Sequence, residues 1–257
     1  MNTDKRPLIL ISNDDSIAAP GLKVLIDCVS RIGDVIAVAP AEPHSGQSAA
    51  FTVNAPLRIL HQPDYNGAKM YAVTGTPVDC IKLAMHHIVP RRPDLMLSGV
   101  NHGSNAGNSE IYSGTMGAAF EACMQGIPAV GYSLLHHAMD ADFSQTLPYI
   151  TSITEKVLAN GLPQGICLNV NFPSRVAIAG ARVCRSARSH WTEEYHEYLD
   201  PHGKPYWWLT GSMVNDEPQS TDTDLYWLDR RYASIVPVCP DRNVLSAIPA
   251  LASLLDK

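Results

Sequence analysis

Leu8-Ile9-Leu10-Ile11-Ser12-Asn13-Asp14-Asp15 joins four consecutive β-favouring apolar residues to four polar ones. An apolar run of this length without alternation suits a strand buried on both faces, as in a parallel sheet covered by helices. The polar tail then falls at the carboxyl end of that strand, where open α/β sheets bind their ligands. Two carboxylates stand next to each other there.

The pattern repeats outward from this segment. Pro20-Gly21 precedes a helical stretch, Leu22 to Val29, and Val35 to Ala39 forms a second buried strand stopped by Pro40. Thr76 to Ile88 reads as a helix with Pro77 in its first turn, where a missing N–H costs little. Leu95 to Ser98 is a third strand, Gly114 to Gln125 a helix, Ala129 to Tyr132 a strand, Asp142 to Leu158 a helix despite Pro148, and Ile166 to Val170 a strand. This alternation predicts a three-layer, Rossmann-like α/β/α core with a mostly parallel sheet.

The composition changes between about 184 and 232. All four tryptophans (Trp191, Trp207, Trp208, Trp227) and several tyrosines lie there, with turns at Pro201-His202-Gly203 and Asn215-Asp216-Glu217-Pro218. Aromatic runs split by turns predict a C-terminal β-hairpin arm. Such an arm suits contact with another subunit, a homodimer or homotetramer, or a lid on its own domain. The chain of 257 residues is expected to form a single domain, 1–257, carrying this arm.

Charge limits the partners. A net charge of −6 argues against a nucleic-acid polymer, which needs clustered Lys and Arg. A small anion remains compatible, since a metal or local dipoles outweigh a modest global charge. No apolar run reaches the roughly 18 to 20 residues of a membrane span, and the first residues do not resemble a signal peptide. The six cysteines are scattered without a C-x-x-C pair, as expected of reduced thiols, so the expected compartment is the cytoplasm.

Four segments carry candidate chemistry. Asp14 and Asp15 repel each other unless neutralised, and oxygen ligands suit Mg²⁺, Mn²⁺ or Ca²⁺. Taken alone, the dipeptide is better explained as a capped turn. Pro43-His44-Ser45-Gly46-Gln47-Ser48 follows the second strand and offers Ser45 as a neutral oxygen donor, or is an ordinary polar loop. Ser98 to Gly107 is a Gly/Asn-rich loop whose Asn101 and Asn105 can offer a carbonyl to a metal or an amide to a phosphate. It is neither a P-loop nor a dinucleotide fingerprint. Ser113-Gly114-Thr115 opens a helix, which makes either an anion site or a plain serine cap.

Of the histidines, His102 alone is expected near this site, as a loop contact. His86-His87 and His136-His137 lack the i, i+4 spacing of helical zinc pairs and suit surface or capping roles. Ser45 and Ser113 lack the G-x-S-x-G context of a serine hydrolase.

From Leu8 to about Pro173, the order Asn-Asp-Asp, Ser-Gly-Gln-Ser, Gly-Thr-Pro-Val-Asp-Cys, Ser-Gly-Val-Asn-His-Gly-Ser-Asn-Ala-Gly, Tyr-Ser-Gly-Thr and Gly-Ile-Pro-Ala-Val resembles the SurE family of survival-protein nucleotidases. The resemblance implies one divalent metal ion per subunit, Mg²⁺ or Mn²⁺, held by Asp14, Asp15, Ser45 and Asn101. It implies a phosphate pocket of Asn101, Ser113, Gly114 and Thr115, with Asn13, His102 and Asn105 around it. The implied activity is metal-dependent hydrolysis of nucleoside 5′-monophosphates, with 3′-monophosphates and short polyphosphate as further substrates. Asp14 and Asp15 are then the catalytic pair, either of which could orient or deprotonate the water. A non-catalytic nucleotide-binding or sensing module is the competing reading. One departure stands out: the family has Gly after the paired aspartates, and this chain has Ser16, so a position that serves a positive φ is in question.

Overall fold

The apolar run becomes β1 (Leu8–Ser12), buried at every residue. Its side chains alternate between two cores. Ile9 and Ile11 pack with Leu22, Leu25 and Ile26 on one face, while Leu8 and Leu10 pack with Cys80, Ile81 and Met116 on the other. A strand that must satisfy helices on both faces has no polar position to spare, which is why the run does not alternate. The computed structural model describes residues 6–138 and 140–255.

After β1 come α1 (Pro20–Val29), β2 (Asp34–Pro40), β3 (Ile59–Tyr65), β4 (Ala68–Val73), α2 (Pro77–Leu83), β5 (Leu95–His102), α3 (Gly114–Met124), β6 (Ala129–Leu134), α4 (Leu147–Asn160) and β7 (Cys167–Phe172). The remainder holds β8 (Gly180–Val183), β9 (Ser189–Thr192), β10 (Tyr195–Leu199), β11 (Pro205–Leu209), β12 (Ser212–Asn215), α5 (Asp224–Asp229), β13 (Tyr232–Val238) and α6 (Ile248–Leu255). The main sheet runs β3-β4-β2-β1-β5-β6-β7-β13-β8. It is parallel except where β3 meets β4 and β13 meets β7. Helices α1 and α4 pack together on one face, α2 and α3 on the other. The expected α/β/α layering is therefore present.

The chain passes from β1 to β2 on one side and later to β5 on the other. Their carboxyl ends therefore diverge around a crevice at this switch of strand order. The loops after β1, β2 and β5 all open into that crevice.

Several boundaries differ from expectation. The helix expected from Asp142 begins at Leu147, after a short 3₁₀ turn at Ser144–Thr146. Pro148 thus sits in the first turn, where its missing N–H leaves no hydrogen bond unmade. Strand β5 continues past Ser98 to His102 through a register shift against β6. The β3–β4 hairpin, turned by Asn66-Gly67, has no signature in the sequence at its first strand because the partly exposed β3 lacks an apolar run.

The aromatic segment forms a two-stranded ribbon in which β10 pairs with β11 and β9 with β12. The C-terminal hairpin elements are present. The chain then returns to the main sheet through α5 and β13.

Gly75 to Cys80 is structural at its start. Thr76 caps α2, and Asp79 closes a capping box. The Asp79 carboxylate also accepts the Thr52 amide at 3.0 Å and the Thr52 hydroxyl at 2.6 Å, pinning the loop that follows β2. Asp79→Ala strands these donors, and is expected to lower unfolding stability by about 2–3 kcal/mol. Urea denaturation of the two proteins checks this.

Candidate active site

The first turn after β1 is held by backbone contacts. Asn13 is buried, and its side-chain amide donates to the Ser16 carbonyl at 2.9 Å. The Asp14 carbonyl accepts the His44 amide at 2.8 Å, so the loop carrying Ser45 is tied to the same turn. Ser16 has φ +95°, the left-handed region that favours glycine. The serine therefore adopts a backbone better suited to glycine, and carries the strain. Ser16→Gly is expected to raise stability by about 1 kcal/mol, visible as a higher midpoint in thermal melts.

Asp14 and Asp15 have different surroundings. Asp14 is only 3% exposed, and its Oδ1 accepts the Thr115 hydroxyl at 2.5 Å. The first turn of α3 lies directly against it: a Cβ on Gly114 would come within 2.7 Å of the Asp14 Cβ. Any other residue at 114 would push the helix end away from the carboxylate. Asp15 turns toward β5, where its Oδ2 accepts the His102 amide at 3.2 Å and lies 3.1 Å from His102 Nδ1. The His102 ring is itself packed edge-on against Phe143. His102 is thus a clamp on Asp15, a tighter role than the loop contact expected.

The Gly/Asn-rich segment is built on the end of β5. The Asn101 side-chain amide donates to the Gly103 carbonyl at 3.0 Å, which sets the direction of its carboxamide. His137 packs against Gly103, where a Cβ would fall 2.5 Å from the imidazole. His137 also lines the cleft. This corrects the expectation that His102 would be the only histidine there: the loop after β6 brings His137 to the cleft, which no local spacing reveals.

Asn105 stands one step back. Its amide nitrogen donates to Ser133 at 2.8 Å, and its backbone is held by Asn171 and Asn169 on β7. Asp224 accepts the Gly107 amide at 2.8 Å and the Ala187 amide at 2.9 Å. Asn169, Asn171 and Asp224 were not singled out as site residues. Their role depends on strands distant in sequence, which no local spacing reveals.

At the start of α3, Ser113 is the cap: its Oγ accepts the Met116 amide at 3.1 Å. Thr115 is fully buried, and its hydroxyl goes to Asp14 rather than outward. Of the expected phosphate pocket, Asn101 and Ser113 line the cleft, Gly114 supplies the close backbone approach, and Thr115 serves the carboxylate. The cleft, about 570 Å³, is also lined by Asp14, Ser45, His102 and Asn105. Ser45 is exposed on its loop. His86 and His87 lie elsewhere, exposed on the π-helical turn after α2.

Burial pushes the Asp14 carboxyl up to about 6; the Thr115 hydrogen bonds pull it back, and the neighbouring Asp15 charge pushes it up further. A carboxylate desolvated beside another is a group in need of a cation. The Asn13 side-chain oxygen is buried without a partner in the same turn. Among the described residues no three His, Cys, Asp or Glu side chains come together as a metal cluster. Two carboxylates with the neutral oxygens of Ser45 and Asn101 fit a hard cation that keeps several waters, such as Mg²⁺ or Mn²⁺, and not a nitrogen- or sulfur-bound metal.

The raised Asp14 value has a definite sign. Without metal, the folded state holds this proton more tightly than the unfolded chain, whose reference is 3.8. The associated stability is full below that reference, and falls by about 3 kcal/mol as pH rises through about 6. Asp14→Asn is expected to remove this fall, making the metal-free variant more stable than the parent near neutral pH. Urea titrations of both proteins in EDTA at acid and neutral pH check it.

Comparison with known proteins gives a consistent picture. The family described as survival protein SurE matches residues 9–193. The 5′-nucleotidase SurE of Phocaeicola vulgatus is 47% identical over 233 residues, covering 91% of each chain. That of Christiangramia forsetii is 46% identical over 254 residues, covering 97% of each. The crystal structure of the SurE protein from Aquifex aeolicus superimposes with a TM-score of 0.83 at 31% identity, covering 96% of this chain and 99% of the other.

Proposed function

This chain belongs to the SurE family, and from that membership we propose that it is a metal-dependent 5′-nucleotidase, releasing phosphate from nucleoside monophosphates at the Asp14–Asp15 crevice. The observation that carries the proposal is the packing of the buried Asp14 carboxylate against the opening turn of α3. Negative ligands and a positive helix end converge on one point. The 5′-nucleotidase names of the relatives favour turnover over a non-catalytic binding module.

Asp14, Asp15, Ser45 and Asn101 are the proposed holders of one Mg²⁺ or Mn²⁺. When bound, such an ion polarises a phosphoryl oxygen and makes a water more acidic. The protein does the rest. The positive end of α3, with the Gly114 amide, and the Asn101 carboxamide hold the remaining phosphate oxygens, and stabilise the charge that builds up on them. The His102 clamp fixes Asp15, so the carboxylate does not swing on substrate binding. Asp14, which lines the cleft, is the proposed acceptor of a proton from the attacking water, with Asp15 the other candidate. Nucleoside 3′-monophosphates and short polyphosphate fit the same phosphate-centred chemistry and are proposed as secondary substrates.

No helix among the described residues is long and apolar enough to cross a membrane. All six cysteines are free, which agrees with the proposed cytoplasmic setting. A homodimer or homotetramer is the proposed assembly, supported by the exposed Trp207, Trp208 and Leu209 on the ribbon.

Purified protein incubated with AMP and Mn²⁺ is expected to release phosphate, and EDTA to abolish the release. Asp14→Asn is expected to lower kcat by about 100-fold or more while leaving the fold intact. Tight AMP binding without phosphate release would favour the sensing module instead. Wild-type turnover by Asp14→Asn at saturating Mn²⁺ would remove Asp14 from the site.

A further inference from the structure

The cleft lining is of two chemical kinds. Asp14, Asn101 and Ser113 are polar, whereas Tyr112, Trp191 and Tyr195 are aromatic. Trp191 and Tyr195 come from the ribbon, remote in sequence from every residue that would meet a phosphate. We propose that Trp191 is the stacking wall for the nucleobase, so that the ribbon supplies a base subsite to the phosphate site on the sheet. The inference rests on the nucleotidase reading and extends it.

Trp191 is not a loosely hanging side chain. Its indole Nε1 donates to the Ser109 hydroxyl at 3.3 Å. Its backbone is paired with Met213 in the β9–β12 ribbon. Two residues earlier, Ser189 is stapled to the same turn: its Oγ accepts the Asn108 amide at 2.9 Å, and its carbonyl accepts the Asn108 side chain. The turn in question is the 3₁₀ helix Gly107–Tyr112, which runs straight into Ser113. The ribbon and the phosphate end are thus mounted on one short rigid element.

The spacing is appropriate. Ser109 lies four residues before Ser113, which is about 8 Å at the rise of a 3₁₀ helix. A ribose separates a 5′-phosphate from its base on the same scale. Trp191 is 40% exposed and lines the cleft, so it is accessible to a ligand there. An indole fixed through its N–H loses little freedom when a base stacks on it, and every base offers a π face. A phosphomonoester without an aromatic group would gain nothing from this wall.

The test compares AMP with ribose 5-phosphate, which carries the same phosphate and sugar but no base. Both are assayed as kcat/KM with Mn²⁺ for the wild type, Trp191→Ala and Trp191→Phe. The wild type is expected to prefer AMP, and Trp191→Ala to lose about ten-fold of that preference, mainly through KM. Trp191→Phe is expected to recover a substantial part of it, since a ring is restored. Because the readout is a ratio within each protein, a partly unfolded variant lowers both rates and leaves the ratio unchanged. A preference for AMP that stays the same in Trp191→Ala, or that falls equally in Trp191→Phe, overturns the proposal. If the wild type releases phosphate from neither compound, it is the nucleotidase reading that fails.

Discussion

The contact between Asp14 and the first turn of α3 is the constraint on which the rest of the site depends. A carboxylate that is only 3% exposed, next to a second carboxylate, is costly to charge. It is tolerated because Thr115 donates its hydroxyl to it and because Gly114 lets the helix end come close. The same approach brings the opening turn of α3 to the crevice between β1 and β5. One close contact therefore sets both the burial of the carboxylate and the position of the helix end beside it.

Other strained or buried polar features support that contact. Ser16 holds a left-handed backbone so that the chain can turn from β1 into α1, and Asn13 braces it from within. His102 and Phe143 hold Asp15, and the Asn105–Asn171–Asn169 chain secures the Gly/Asn-rich segment to β7. Asp224, from the far end of the chain, accepts the Gly107 amide. Buried polar groups of this kind are costly when unpaired, so each link favours a single arrangement of the loops. A preorganised site is what hydrolysis of a highly charged ester requires.

The ribbon belongs to this scheme as well as to any assembly. The hydrogen bonds of β9 to Asn108 and Ser109 couple it to the turn that precedes Ser113. An element that looks like a projecting arm thus contributes one wall of the cleft. The two roles are compatible, because the residues toward the cleft, such as Trp191, are different from the exposed Trp207 and Trp208 farther out on the ribbon.

Much of the architecture was legible in the residues alone. The unbroken apolar run of β1, the proline-led helices and the polar strand ends require a sheet covered on both faces with its ligands at one edge. That follows from local chemistry: side chains of β1 can only be buried on both faces if helices lie on both. The candidate residues at the carboxyl ends of β1, β2 and β5 could be chosen for the same reason. What the local sequence could not reveal was which side chain meets which. The Thr115 hydroxyl donates to Asp14; His137 reaches the cleft from the loop after β6; Asp224 and Trp191 arrive from beyond residue 185. These pairings depend on strand order and on the fold of the ribbon, where residues about a hundred positions apart come within hydrogen-bonding distance. Only tertiary structure decides them, because no periodicity or spacing along the chain records contacts between distant segments.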